Sequence, residues 1–166
     1  MNFEDFIVAP RQFRTEKWQI GNKITSEIKE NSIVLLFVSD YRGANGDAES
    51  QDFTGIRREF YKLSQLDFDI PIIDLGDLVS GKTPQDSHYI LQEVLSVCHQ
   101  KGAIPVIVGG SNDLAFSLFS ALNYHQQDIN YTQISNLVSL KQDEEIHEST
   151  FLSKILGSKN FSVKNY

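Results

Sequence analysis

The residues that could do chemistry in this sequence are mainly aspartates, and each lies near the end of a stretch predicted as a strand. Carboxylate oxygens that converge from such positions are the ligands that Mg²⁺ and Mn²⁺ prefer. The alternative is local, because aspartate also caps helices and turns. The candidates are Asp40, Asp74, Asp77, Asp113 and Asp143.

The histidines and the cysteine show no spacing typical of a metal or nucleophile site. No histidine has a second histidine four residues away, so all four are interpreted as solvated; they are His88, His99, His125 and His147. Cys98 lies on a predicted apolar helix stripe and is interpreted as a core residue. A single cysteine excludes a disulfide framework or a Cys-rich zinc site within one chain.

Two glycine-bearing loops allow two interpretations. Gly109 and Gly110 follow an apolar run, where exposed N–H groups could bind phosphate at a helix start. The sequence lacks both G-x-G-x-x-G and G-x-x-x-x-G-K-[ST], so a tight turn with positive φ is the favoured prediction. The loop 43–46 is likewise interpreted first as a flexible loop and second as a ligand cradle.

The elements that must position these loops alternate between strands and helices. Apolar runs predict strands at 33–38, 69–74 and 104–108, and a weaker fourth at 134–140. Apolar residues at spacings of three and four predict helices at about 53–63, 84–102, 114–122 and 149–156. This order predicts an α/β fold, three-layer αβα with a mainly parallel sheet, whose ligands bind beyond the carboxyl ends of the strands.

The composition bounds the class of protein. The chain has 166 residues, of which 40% are hydrophobic and 22% charged, as in an ordinary globular domain. The net charge of −7 argues against nucleic acid or an anionic membrane as partner. The longest apolar run is too short to span a bilayer, and the acidic start is not a signal peptide, so we expect a cytoplasmic protein.

Three motifs follow one another within residues 30–143. A helix start at Thr54-Gly55-Ile56-Arg57 is followed by Asp74-Leu75-Gly76-Asp77, and then by Gly109-Gly110-Ser111-Asn112-Asp113 at a strand end. Their order and spacing resemble the ureohydrolase family of arginase, agmatinase and formimidoylglutamase, and most closely its divergent formimidoylglutamase-like group. The family's helix start carries a proline that is absent here, and its strand end reads Gly-Gly-Asp-His-Ser.

The resemblance implies a two-Mn²⁺ centre whose bridging hydroxide attacks a guanidinium or formimino carbon and releases urea or formamide. The first family histidine ligand falls on Asn112, and the later Asp-x-His-x-Asp ligands fall on Ser139, Lys141 and Asp143. Only Asp143 keeps a ligating side chain of the family type, so it is the one predicted metal ligand. We expect no catalytic or cofactor-binding residue in this chain, and Mn²⁺ is implied by the resemblance alone.

These observations predict one arginase-like α/β domain over residues 1–166, the N-terminal portion of a larger family fold. The implied function is hydrolysis of linear amidine C–N bonds, with a small guanidino or formimino compound as partner, and we expect this chain to be inactive. The alternatives are a non-catalytic arginase-like domain for binding or assembly, and a small flavodoxin-like ligand-binding domain. An unpaired sheet edge would also favour homo-oligomers.

Overall fold

The computed structural model describes residues 3–44, 51–65, 69–124, 128–136, 138–159, 161 and 163–165. They form two compact units. The first unit is drawn from residues 1–39, 49–79 and 97–109, and the second from residues 40–48, 80–96 and 110–166. The prediction of one domain over 1–166 stays a prediction.

A four-stranded sheet is the centre of the first unit. Its strands are β1 (Ile7–Val8), β2 (Ile33–Val38), β3 (Ile72–Leu78) and β4 (Ile104–Val108), in the order β1-β3-β2-β4. β2 pairs in parallel with both β3 and β4, and the short β1 pairs antiparallel to β3. The predicted α/β class with a mainly parallel sheet is therefore confirmed, while β1 is an addition that the sequence did not indicate.

Strand β3 is longer than predicted. It continues through Asp74 and Asp77 to Leu78, so these aspartates lie within the strand and not in a loop beyond it. Gly76, at φ +116°, permits this course, because a Cβ there would overlap the carbonyl oxygen of Val8 on β1. The Asp-x-Gly-Asp pattern is typical of a turn, but here the pairing of β1 with β3 overrides that preference.

The helices agree closely with the predicted positions. They are α1 (Thr54–Tyr61), α2 (Pro84–Gln100), α3 (Ala115–Tyr124) and α4 (Phe151–Gly157), with short 3-10 helices at Phe3–Phe6, Ile20–Asn22, Arg42–Ala44 and Asn112–Leu114. The Thr54 N–H donates to the Asp52 carboxylate at 2.8 Å, as the predicted helix start requires. Among the residues that the structure describes, no helix is long and apolar enough to cross a membrane.

The predicted fourth strand is wrong over the described part of 134–140. Ile134 is 98% exposed and Val138 67% exposed, so these apolar side chains are not buried against a sheet. Two other short strands, β5 (Ile129–Asn130) and β6 (Val163–Asn165), pair in parallel in the second unit.

Each unit has its own apolar core. In the first unit Leu35 and Phe37 of β2 pack with Phe53, and Cys98 is fully buried. Burial raises the pKa of the Cys98 thiol to about 11, as suits the predicted core residue. The core of the second unit comprises Phe119, Ile129, Phe151, Leu152 and Ile155.

Strand β4 is apolar in sequence but is exposed on one of its faces. Ile104 is 64% exposed and Val106 39% exposed, and both point to the same side of the sheet because strand side chains alternate. The reason is position, since β4 is the outer strand of the four-stranded order. An apolar edge strand of this kind is prone to pair with other chains.

Candidate functional site

The motif residues of the first unit bind one another. Arg57 of α1 donates from Nε to Asp74 Oδ2 at 2.7 Å and from Nη1 to Asp77 Oδ2 at 3.2 Å. The guanidinium also lies 4.0 Å from the centroid of the Phe37 ring, and the Tyr61 hydroxyl donates to Asp74 Oδ2 at 2.9 Å. The arginine of the first motif therefore holds both aspartates of the second.

The electrostatics of this cluster stabilise the charged form of Arg57. Burial alone would lower the pKa of Arg57, but hydrogen bonds from Asp74 and Asp77, together with their charges, raise it above its ordinary value. Burial and the charge of Asp74 raise the pKa of Tyr61. Arg57 and Asp74 are both buried, and a buried charge is tolerated only when it is paired. Asp74 is thus committed to an internal ion pair rather than free to hold a metal.

Asp40, the first aspartate after β2, is occupied in a similar way within the second unit. Arg42 donates from Nε to Asp40 Oδ1 at 3.0 Å and from Nη2 to Asp40 Oδ2 at 2.6 Å. The same guanidinium donates to the carbonyl oxygens of Gly81 and Lys82 and to the Ser87 hydroxyl. This arrangement fixes the segment before α2.

The pKa of Asp40 reflects these contacts. Burial alone would raise it, but hydrogen bonds from Arg42 and Ser87, with the charge of Arg42, hold it below its ordinary value. Asp40 therefore acts as a buried anchor for Arg42.

A third polar cluster centres on His88 of α2, and the prediction of a solvated His88 is wrong. Its Nε2 lies 2.9 Å from Asp113 Oδ2, and its Nδ1 lies 3.0 Å from Ser117 Oγ on α3. All three side chains are buried. The spacing of His88 from Leu91, three residues on, and from Leu95, seven residues on, places it on the buried face of the helix and was the available signal.

The second carboxylate oxygen of Asp113, Oδ1, explains why residue 43 is a glycine. Asp113 Oδ1 is buried without a hydrogen-bond partner among the described residues, and it lies against Gly43. A Cβ on Gly43 would overlap this carboxylate. Gly43 is itself buried, so it allows a close approach of the chain to Asp113. The predicted interpretation of 43–46 as a flexible loop does not fit Gly43, and residues 45–46 lie outside the described residues.

The glycine pair after β4 confirms the predicted turn. Gly109 has φ +91° and Gly110 has φ +74°, which are conformations that favour glycine. The Ser111 N–H then donates to the backbone carbonyl oxygen of Asp40 at 3.0 Å. The pair thus forms the tight turn at the end of β4.

The four positions at which the resemblance predicts metal ligands differ in their exposure. Asn112, Lys141 and Asp143 are exposed, whereas Ser139 is fully buried and its hydroxyl has no partner among the described residues. In the described part of the chain, no group of three or more His, Cys, Asp or Glu side chains could hold a metal ion. These residues do not fit a dinuclear manganese centre.

Asp143 has a local role instead. Its Oδ1 accepts the backbone N–H groups of Glu144 at 2.6 Å and Glu145 at 3.3 Å, and these bonds lower its pKa. His147 Nε2 lies 3.8 Å from Asp143 Oδ2. His99 and His147 are half-buried rather than freely solvated, and His125 lies outside the described residues.

Comparison with known proteins relates this architecture to one known fold. The sequence matches no protein-family model and no curated protein at a significant level. Among solved structures, formimidoylglutamase from Bacillus subtilis subsp. subtilis str. 168 superposes with a TM-score of 0.68 and 16% identity, over 92% of this chain and 52% of that chain.

Two structures from Trypanosoma cruzi give the same picture. A formiminoglutamase with Mn²⁺ matches with a TM-score of 0.61 and 18% identity, over 80% of this chain and 50% of that chain. An arginase superfamily protein matches with a TM-score of 0.64 and 16% identity, over 98% of this chain and 54% of that chain. The chain thus has an arginase-like ureohydrolase fold, and it spans about half the length of the structures it matches.

Proposed function

We propose that this chain is an arginase-fold domain that does not hydrolyse amidines by itself and acts through binding or assembly in the cytoplasm. One observation carries the proposal. The side chains at the expected ligand positions are an exposed amide, a buried hydroxyl, an exposed ammonium and an exposed carboxylate, belonging to Asn112, Ser139, Lys141 and Asp143.

The chemistry of these donors supports the proposal. A dinuclear centre needs several anionic or imidazole ligands that reach both ions. Asn112 offers only a neutral amide, and the ammonium of Lys141 repels a dication. Asp143 alone supplies a carboxylate, and its Oδ1 already accepts two backbone N–H groups.

The remaining aspartates do not make up the deficit. Asp40 is paired with Arg42, Asp74 and Asp77 are paired with Arg57, and Asp113 Oδ2 lies 2.9 Å from His88 Nε2. Recruiting any of them to a metal would weaken a pairing that stabilises a buried or half-buried side chain, which is costly. The second motif of the resemblance therefore supports a scaffolding role.

A second candidate function rests on the coverage of the solved structures. Because the chain spans about half of each, hydrolysis of a small guanidino or formimino compound with Mn²⁺ could require further polypeptide to complete the centre. Asp143 would be this chain's contribution.

Titration calorimetry with Mn²⁺ on metal-stripped protein, together with assays of urea and formamide release, tests the proposal. We expect no tight binding and no turnover, and we expect Asn112→His alone to restore neither. The variants Asp143→Asn and Glu145→Gln should behave alike, because neither position holds the metal. Two tightly bound ions per chain, or turnover of any guanidino or formimino substrate, would overturn the proposal.

A further inference from the structure

The second unit carries an open groove of about 570 Å³ that none of the predicted site residues lines. Helices α3 and α4 and the segment around Glu144 contribute to its walls. A volume of this size lies within the range of small-molecule sites, about 300–1,000 Å³. The groove is therefore large enough to hold a ligand of several linked groups.

The groove has an aromatic component that is formed in advance. Phe116 and Phe161 line it, with ring centroids 5.6 Å apart and ring planes at 77°, so one ring packs its edge against the other. Both side chains are half-buried, which leaves part of their surface available. Such a surface would bind a large apolar side chain, because burial there removes apolar area from water.

Two carboxamides lie in the same groove. Gln92 of α2 and Asn123 of α3 each offer an acceptor oxygen and two N–H donors. A peptide group presents the complementary donor and acceptor. These side chains are suited to bind a peptide bond of a ligand.

The groove also contains opposite charges that remain available. Glu144 and Lys154 both line it, and within the described part of the chain neither forms an ion pair, with the other or with a third residue. A ligand with an ammonium group and a carboxylate group would satisfy both. A peptide with free termini carries both of these charges and adds a peptide group for the two carboxamides.

We propose that this groove binds short peptides with free termini and one large apolar side chain. Glu144 binds the amino terminus, Lys154 binds the carboxyl terminus, and the side chain rests against Phe116 and Phe161. The proposal goes beyond the absence of hydrolysis and needs no metal, so its failure is separate from that of the proposed function.

Titration of the full chain with alanyl-phenylalanine, in the presence of a chelator and followed by NMR, tests the inference. We expect shifts of the Gln92 and Asn123 side-chain amide signals. N-acetylation or C-amidation of the peptide should each weaken binding about two- to fivefold, the range of exposed charge pairs. In the Glu144→Gln variant, N-acetylation of the peptide should no longer weaken binding, whereas C-amidation should still weaken it. In the Lys154→Gln variant, C-amidation should no longer weaken binding, whereas N-acetylation should still weaken it.

The variants Glu145→Gln and Lys159→Gln are matched controls, because these exposed charges lie nearby in sequence but do not line the groove. They should bind the free dipeptide as the parent chain does. Absence of binding at about 10 mM peptide overturns the inference. Equal affinity for free and doubly blocked peptide overturns it too, because the groove would then bind only the apolar side chain.

Discussion

Replacement of Arg57 by methionine should be among the most damaging single changes in the first unit. The guanidinium is 3% exposed and binds Asp74 and Asp77, and its loss leaves the fully buried Asp74 carboxylate without a cationic partner. Removing one partner of a buried ion pair typically costs about 3–5 kcal/mol. With a urea m-value of about 2 kcal/mol/M for a chain of this size, the unfolding midpoint should fall by roughly 2 M.

The neighbouring Arg58 provides the control for urea unfolding followed by far-UV circular dichroism. Its side chain is 55% exposed and pairs with the exposed Glu59, so Arg58→Met should change the midpoint little. The double variant Arg57→Met with Asp74→Asn should recover part of the loss, because the orphaned charge is removed. If Arg57→Met and Arg58→Met unfold at the same midpoint, the ion-pair account of the motif is refuted.

Three further predictions concern the glycines, pH and the sheet edge. Gly43→Ala should lower the thermal unfolding midpoint because the added methyl group would overlap Asp113. As a control, Gly55→Ala should raise the free energy of unfolding by about 0.5 kcal/mol, because a Cβ there meets nothing within 4 Å. Equal changes in the unfolding midpoint of the two variants would contradict this. The pKa of Asp40 is depressed in the folded state, so the stability that Asp40 contributes is present above its ordinary pKa of 3.8 and is lost as the pH falls through the lower folded pKa. Asp40→Asn should therefore flatten the dependence of unfolding free energy on pH in that range. An unchanged slope would argue against the Arg42 pairing. Val106→Lys on the exposed edge of β4 should reduce self-association in sedimentation experiments, and a parent chain that is already monomeric at high concentration would show that the edge does not pair.

The elements with a strong periodic signal were predictable from the sequence. The continuous apolar run of β2 and the stripe of α2 are buried as expected, since core burial follows directly from such patterns. Pro84 marks the start of α2, and Gly102, at φ +63°, lies just beyond its end. Local chemistry was sufficient for these features.

Features that depend on distant partners were not predictable. Arg57 and Asp74 are 17 residues apart, and His88 and Asp113 are 25 apart, so no local pattern announces either pair. The continuation of β3 through Asp77 likewise depends on pairing with β1, which has only two residues. The motif resemblance singled out Arg57, Asp74 and Asp77, but their mutual binding is visible only in three dimensions.

The expected metal-ligand positions were predicted from the family resemblance alone. At these positions, the types of the side chains decide more about metal binding than their places in the fold. Asn112 occupies an exposed place after the Gly109–Gly110 turn, as the motif implies, while Ser139 is buried and Asp143 binds its own backbone neighbours. A family motif specifies where ligands would stand, and the substituted side chains determine whether a metal is held.

Location of manganese by anomalous scattering, in crystals of the full chain grown with Mn²⁺, tests the central claim most directly. The claim is that an arginase-like fold here carries internal ion pairs at its second motif and holds no dinuclear centre. We predict no pair of manganese peaks among Asn112, Ser139 and Asp143, and intact contacts of Arg57 with Asp74 and Asp77. Two peaks about 3.5–4 Å apart at those positions would contradict the claim.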